Sequence, residues 1–450
     1  MENGDLFFSF IKIIAVIAYL YGLLWAMGRK QLWAKVLGVI VAFGVVQLAL
    51  TPFGKFQLLN NFDTGLLFQA CTITMMSLGL NLIYGFNGQF SLGQIGFYGL
   101  GAYAAADITF RWQIGDSSGM VVVFLGVILA GASIFLINKF LSKFRRTPVL
   151  SSFTLYLIGV TIAGVVAFYL GNVLADMLDP LLATGGPLRS YFAMQGVYFL
   201  AVLLAGAFAA IVSFLFGLPV LSLGSDYFGI ATLGFTIVVN TLMVNSDTIL
   251  PFPEMKGGRG MIGIPKLTVW FWAFFFLIFV IVIMRNVLQS STGRAILSVR
   301  EDETASKAMG IDIANNKLLA FVIGSFFAGI GGAVYAHYLA FLSPSTFDFI
   351  AGFNPLIIIV FGGLGSMTGT IAASFGWIFF LEGLLRVLLG KMGTEAPSWR
   401  FVLYPIALLL LMLLRPEGLL GTREWGFLKS SVFAPFVKKD DTKVKAESEI

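Results

Sequence analysis

Apolar stretches close to the length of a membrane crossing recur along this sequence from Leu6 to Leu414, separated by short charged or glycine-bearing links. A spanning helix needs about 20 mostly apolar residues. Candidate runs are Leu6–Met27, Trp33–Leu50, Gly65–Tyr84, Phe90–Phe110, Met120–Leu141, Leu150–Leu174, Ala193–Leu223, Tyr227–Val244, Leu267–Leu288, Leu318–Ala340, a short piece Pro355–Leu364, Gly369–Leu389 and Phe401–Leu414. The pattern predicts an all-α, polytopic transmembrane helical bundle of about 12–13 spans, because lipid leaves no partner for unpaired backbone groups. Leu6–Met27 reads as a retained helix: acidic Glu2 and Asp5 precede it, it is long for a signal core, and no A-x-A site follows.

Composition agrees. Of the 450 residues 58% are hydrophobic and 12% charged, about half the charge of a soluble domain. One cysteine, Cys71, and one histidine, His337, leave no internal disulfide and no His- or Cys-rich metal centre. The net charge of +6 sits in short loops, where it reads as an orientation signal and not as a nucleic-acid surface. Arg29, Lys30 and Lys35 follow the first run. Lys139, Lys143, Arg145 and Arg146 close the fifth, and Arg285, Arg294, Arg300 and Lys307 close the ninth. All three are odd-numbered exits, so the positive-inside rule makes them cytoplasmic and puts the N-terminus outside. A cytoplasmic C-terminus then requires the short Pro355–Leu364 piece to cross, as a broken or partly re-entrant segment. The division expected is 1–60 as N-terminal spanning helices, 61–421 as the core, and 422–450 as a charged, disordered cytoplasmic tail.

Three stretches carry chemistry. Ser291–Lys317 holds eight charged residues between Arg294 and Lys317, which keeps it out of the hydrocarbon. Ala295, Ile296, Val299, Ala305, Ala308 and Met309 nevertheless fall on one helical stripe, and Gly310 stands where a helix end needs a left-handed residue. Such a helix suits a transporter pushed by a soluble motor; it equally suits a helix lying in the headgroups. Gly85–Tyr103 crowds Gly85, Gly88, Gly93, Gly96, Gly99 and Gly101 beside Asn87, Gln89, Ser91 and Gln94. It is either a broken helix lining a polar path or a closely packed one. Phe361–Thr370, with Gly363, Gly365, Ser366 and Gly369, is a second glycine-interrupted piece.

Intramembrane ionisable residues are few: Asp107, Asp226, Glu382 and Arg386, the last two spaced for an i,i+4 pair. Their scarcity argues against a proton-driven carrier, and His337 reads as a packed residue. Gly258, Gly260 and Gly263 match G-x-G-x-x-G with no strand before them, so no dinucleotide site is expected. The chain has no G-x-x-x-x-G-K-[ST], so ATP drive would have to come from a partner.

These motifs resemble the permeases of branched-chain amino acid ABC importers, the M-subunit branch. GQFSLGQIGFYGLGAY (Gly88–Tyr103), SDYFGIATLGF (Ser225–Phe235), STGRAILSVREDETASKAMGI (Ser291–Ile311), FGGLGSMTGT and LLRPEGLLG (Leu413–Gly421) follow that family's order. The resemblance implies a transport subunit with no catalytic residue and no cofactor of its own. Two ABC ATPases would carry ATP and Mg, a second permease would make a heterodimer, and a periplasmic binding protein would deliver the amino acid across the cell inner membrane. It places a coupling helix at Arg294, Arg300, Glu301, Asp302, Glu303, Ala305 and Gly310, with Arg300 to Glu303 facing the motor. It places the translocation path at Gly88, Gln89, Ser91, Gly93, Gln94, Thr232, Gly234, Gly363, Gly365 and Ser366. A urea- or short-amide permease of the same fold, an ion-coupled secondary transporter and a scaffold without transport are the alternatives. The sequence departs from the family pattern near 120–190, where two further spans look inserted. It departs again at Ser298, in place of alanine, and at Thr304-Ala305-Ser306, in place of I-A-A.

Overall fold

The computed structural model describes residues 4–29, 31–51, 59–143, 149–182, 190–221, 225–249, 255–385 and, beyond these, 406, 409, 413–414, 417–421 and 424–428. The described residues are predominantly helical. In order come α1 (Gly4–Met27), α2 (Leu32–Leu50), α3 (Asn61–Leu80, ending in a π-helical turn, Asn81–Phe86), α4 (Gln94–Ile114), α5 (Ser118–Leu141), α6 (Val149–Leu182), α7 (Tyr191–Val220), α8 (Ser225–Val244), the short α9 (Ser246–Ile249), α10 (Trp270–Gln289), α11 (Ser291–Glu301), α12 (Glu303–Ala308), α13 (Ile313–Leu339), α14 (Phe353–Gly362) and α15 (Met367–Trp377, continued by a π-helical Ile378–Leu385). The all-α expectation needs one small amendment. A two-residue antiparallel pair joins β1 (Met261–Ile262) to β2 (Phe341–Leu342) in the loops. The glycine-rich G-x-G-x-x-G match lies at β1, after a 3-10 turn (Gly257–Arg259), in a loop and not between a strand and a helix.

Among the described residues nine helices are long and apolar enough to cross a membrane, with Ile11–Met27 and Phe349–Gly362 as shorter apolar pieces. The other expected runs fall short of that length-and-hydropathy criterion or lie outside the described residues. Asp107 and Arg111 interrupt the apolar run of α4, and most of Phe401–Leu414 lies outside the described residues.

The core is built on α13, which packs against α3, α4 and α7. Glycine makes this possible. A Cβ on Gly332 would lie 1.9 Å from the Tyr98 carbonyl oxygen, one on Gly101 2.3 Å from the Gly329 oxygen, and one on Gly79 2.3 Å from the Gly324 oxygen. Backbones in direct contact replace the hydrophobic effect, which is absent between helices in lipid, with dispersion. The one histidine is fully buried here. His337 Nδ1 sits 2.7 Å from the Ala333 carbonyl, so that nitrogen carries the proton, and Nε2 accepts from the Thr109 hydroxyl at 2.7 Å.

Two charged pairs sit beside this core. Lys12 of α1 donates to Asp63 of α3 at 2.6 Å, and Arg111 pairs with Asp107 at 3.2 Å. The Asp226 side chain and Arg386, hence the expected Glu382–Arg386 pair, lie outside the described residues. The α5–α6 hairpin pairs mainly with itself and turns most of its surface outward.

The short apolar piece does traverse the bundle, with help. Two 3-10 turns, Pro344–Phe347 and Phe349–Gly352, precede α14 and carry the chain inward. Asn240 of α8 donates to the Pro344 carbonyl at 2.7 Å, Phe347 stacks near Tyr98 and Tyr103, and Gly352 rests on Leu92 and Ile95. The segment then reaches Gly365, which abuts Gly85 at the end of α3.

Candidate functional site

The inner ends of α3 and of the broken crossing meet at one asparagine. Asn81 Nδ2 donates to the Ser366 carbonyl at 2.9 Å and to Thr370 Oγ1 at 2.8 Å, while Oδ1 accepts from the Gly365 N–H at 3.0 Å. Asn81 begins the π-helical turn and is fully buried. Sequence reasoning missed it. The available signal was a lone amide in an apolar run, which in lipid must find partners.

Just beyond, the chain breaks. Gly88 takes φ +77° and lets its N–H reach the Tyr84 carbonyl. The linker to α4 is pinned by α8: Thr232 Oγ1 accepts from the Leu92 N–H at 3.0 Å, and Thr236 Oγ1 donates to the Leu92 carbonyl at 3.2 Å. A Cβ on Gly93 would lie 3.1 Å from Thr232. Asn87 Nδ2 donates to Gln89 Oε1 at 2.8 Å, and Ser91 Oγ accepts from the Gly93 N–H. Gln94 is 1% exposed, and neither of its amide atoms has a partner among the described residues. Of the expected path residues, Gly88, Gln89, Ser91, Gly93, Gln94 and Thr232 thus lie together on the linker and α8. Gly363, Gly365 and Ser366 lie at the α14–α15 break, and Gly88 and Gly365 both touch Arg300. Gly234 stands apart, with nothing near its Cα to meet a side chain. Gly96, Gly99 and Gly101, by contrast, serve close packing within α4.

The charged loop is two helices, not one. Ser290 caps α11, and Asp302, in extended conformation, accepts from Thr304 N and Ala305 N to start α12. Gly310 adopts φ +81°. Its N–H bonds to the Lys307 carbonyl and the Ile311 N–H to the Ser306 carbonyl, the paired bonds of a Schellman end. The apolar stripe also divides. Ile296 and Val299 are buried against the bundle, whereas Ala305, Ala308 and Met309 face out, Met309 being 82% exposed. Arg294 and Glu301 are exposed, and Lys317 of α13 donates to Glu303 at 2.6 Å. Arg300 is also exposed, its side chain 35% accessible, yet its Nη1 reaches the bundle and donates to the Gly85 carbonyl at 2.5 Å.

A third element reaches this end. Residues 424–428, expected to be tail, pack on the bundle. Arg285 donates to the Phe427 carbonyl at 2.6 Å and lies over its ring, and Trp425 meets Tyr21 edge-on. Glu424 caps α15, accepting from Met367 N at 2.6 Å, from Thr368 N at 2.9 Å and from the Thr368 hydroxyl. Residues 429–450 lie outside the described residues. Burial pushes the Glu424 carboxyl up to about 7 from its ordinary 4.5, against hydrogen bonds from Thr368, Met367 and Ser366 that pull it down. The stability tied to this group is fully present below the unfolded value near 4.5 and is lost as pH rises toward 7, on the order of 3 kcal/mol at most. The thermal midpoint of the detergent-solubilised protein should fall across that window and the fall should flatten in Glu424→Gln; an identical pH slope in both proteins would refute this. An apolar groove of about 410 Å³ between α1, α15 and Leu419, Leu420 and Trp425, lined also by Ile13, Ile17, Trp377 and Phe380, runs beside this cap.

A discontinuous crossing, a pinned linker and a charged helix pair thus meet at one end of the described bundle. The sequence profile of the branched-chain amino acid transport system permease component matches residues 64–177 and 158–413. The chain belongs to that family. Both matched stretches run through part of the α5–α6 hairpin. The permease also resembles individual curated proteins. The high-affinity branched-chain amino acid transport system permease protein LivM of Escherichia coli (strain K12) is 31% identical over 252 residues, 48% of this chain and 56% of LivM. The probable branched-chain amino acid transport permease protein LivM of Methanocaldococcus jannaschii is 25% identical over 247 residues, 50% of this chain and 68% of that one. The high-affinity permease protein LivH of Escherichia coli (strain K12) is 28% identical over 136 residues, 30% of this chain and 41% of LivH. The match thus spans little more than half the length of the first of these relatives. No solved structure matches the chain.

Proposed function

We propose that this permease is the membrane-spanning subunit of an ATP-driven importer of branched-chain or related apolar amino acids. It sits in the cell inner membrane with α11, α12 and residues 417–421 and 424–428 on the cytoplasmic side. Two soluble ATPases carry ATP and Mg and receive α12, a homologous second permease completes the pathway, and a periplasmic binding protein delivers the amino acid. One observation supports the reading: α11 is seated on the bundle by Ile296 and Val299, while α12 leaves Ala305, Ala308 and Met309 exposed, an apolar surface that a docking partner would cover. The pathway runs along the 87–94 linker, α8 and the α14–α15 break, where backbone leaves regular helix inside the protein. Pairing of Asp63 and Asp107 with cations argues against their serving as proton carriers in an ion-coupled alternative.

The test is uptake by proteoliposomes holding the full complex, with nucleotide supplied on the α12 side. Accumulation of a branched-chain amino acid that needs nucleotide is expected; accumulation on an ion gradient without nucleotide would overturn the reading. Within that assay Glu303→Lys, which sets two cations against each other at the α12–α13 joint, should lower uptake per ATP by about fivefold to tenfold. Lys317→Glu in the same chain should recover most of the loss. Failure of the double variant to recover would remove the ion pair from the mechanism.

A further inference from the structure

The Arg300 guanidinium lies where three segments meet. Its Nη1 donates to the Gly85 carbonyl at 2.5 Å. In an unbroken α-helix that carbonyl would accept from Gln89, but the Gln89 N–H bonds to the Ile83 carbonyl instead, at 3.0 Å. The π-helical end of α3 therefore presents Gly85 to a side chain from elsewhere. The same Nη1 lies 2.6 Å from where a Cβ on Gly365 would stand, and the Arg300 stem passes 3.5 Å from the corresponding point on Gly88. Gly88 and Gly365 both hold positive φ, so both positions favour glycine on two counts. Gly365 is in turn tied to α3 through Asn81. On its own helix Arg300 is one residue from the end of α11, and its nearest acidic neighbour, Glu301, is 4.0 Å away and mostly exposed.

We infer that Arg300 is the positioning residue that couples the α11–α12 pair to the pathway. Its guanidinium clasps the inner end of α3 to the α14–α15 break, so displacement of α12 by a partner loosens or tightens that end. The inference rests on the transport reading above and adds to it. Arg300, expected from the family resemblance to face the motor, remains partly exposed while its guanidinium holds the pathway end, and α12 carries the exposed apolar surface. A planar guanidinium suits the task, because its fixed fork of donors can hold a carbonyl while its stem rests on the neighbouring backbone.

The experiment uses the full complex in proteoliposomes and reads amino acid taken up per ATP hydrolysed. Arg300→Gln should lower that ratio by about tenfold or more, the scale of a lost charge-assisted hydrogen bond. Arg300→Lys, which keeps a cation but not the fork, should retain an intermediate ratio. In Arg300→Cys, a cationic aminoethyl thiosulfonate should restore coupling and an anionic sulfonatoethyl reagent should not; the native Cys71 is buried. An unchanged ratio in Arg300→Gln, or equal rescue by both reagents, overturns the inference. Where variants fail to assemble, hydrogen exchange of the wild-type complex decides. Residues 83–90, 296–301 and 363–366 should change protection together between nucleotide-free and nucleotide-trapped states, and independent changes refute the clasp. Uptake without nucleotide by the wild type would sink the transport reading itself, whereas nucleotide-driven uptake with normal coupling in Arg300→Gln sinks the clasp alone.

Discussion

Gly332→Leu is expected to destroy the helical core. The first atom of any side chain at this position would stand 1.9 Å from the Tyr98 carbonyl oxygen and 2.8 Å from its carbon, both backbone atoms of α4. Neither can swing aside as a side-chain tip can. On the same turn, a Cβ at Gly331 would lie 2.9 Å from the Thr72 oxygen of α3, so α13 cannot retreat from α4 by moving toward α3. Overpacking of a well-packed core typically costs 1–3 kcal/mol, and a clash against two backbones at once should exceed about 3 kcal/mol. Thermal unfolding followed by tryptophan fluorescence in detergent is the measurement. Gly164→Ala on α6, where nothing lies within 4 Å, is the control, and should be neutral or gain up to about 1 kcal/mol from helix propensity. Equal losses in the two variants would show that interhelical contact is not what the core glycines provide.

Asn81→Ala should release the broken crossing from α3. It strands the Gly365 N–H and removes a donor from both the Ser366 carbonyl and Thr370. Buried groups left unpaired cost roughly 1–3 kcal/mol each, and partial relaxation brings the expected loss to about 2–4 kcal/mol. Asn81→Asp separates the two halves of the amide. It keeps an acceptor for Gly365 but turns a carboxylate oxygen toward the Ser366 carbonyl, so it too should fail. Amide exchange at Gly365, slow in the wild type, reports directly: fast exchange in both variants is expected. Protection retained in Asn81→Ala would mean the crossing is held by α4 and α8 instead, and uptake should then survive as well.

Much of this architecture is legible in residue order, because lipid leaves few solutions. Apolar run length located most of the long helices, and the charge density of Ser291–Lys317 located the exposed charged segment. The same pattern could not reveal that this segment has two parts. Helical periodicity assigns Ala295, Ile296, Ala305 and Met309 to one stripe only if the helix is continuous, and the extended backbone of Asp302 reorients the second half. The crossing at 344–362 was half visible: α14 is apolar, but Pro344, Ser345 and Asp348 in the preceding turns carry no period to read. The glycines of 85–101 admitted two explanations, and both apply at different positions. Gly96, Gly99 and Gly101 meet neighbouring helices, whereas Gly85 and Gly88 form the break. Glu424 was hidden in a stretch whose mixed charge reads as solvated tail. Only the free amides of α15, brought near by the fold, give it a place.

The cap on α15 has a consequence for biogenesis. Glu424 and the Leu419 N–H that bonds to the Phe361 carbonyl belong to residues translated after α1 to α15. While the ribosome is still reading toward them, the earlier helices can already be inserted, yet the start of α15 still has bare amide groups. Closure of that end is therefore a late, post-insertion event, and a nascent chain stalled before residue 419 should be membrane-integrated but leaky to protease at the α14–α15 turn.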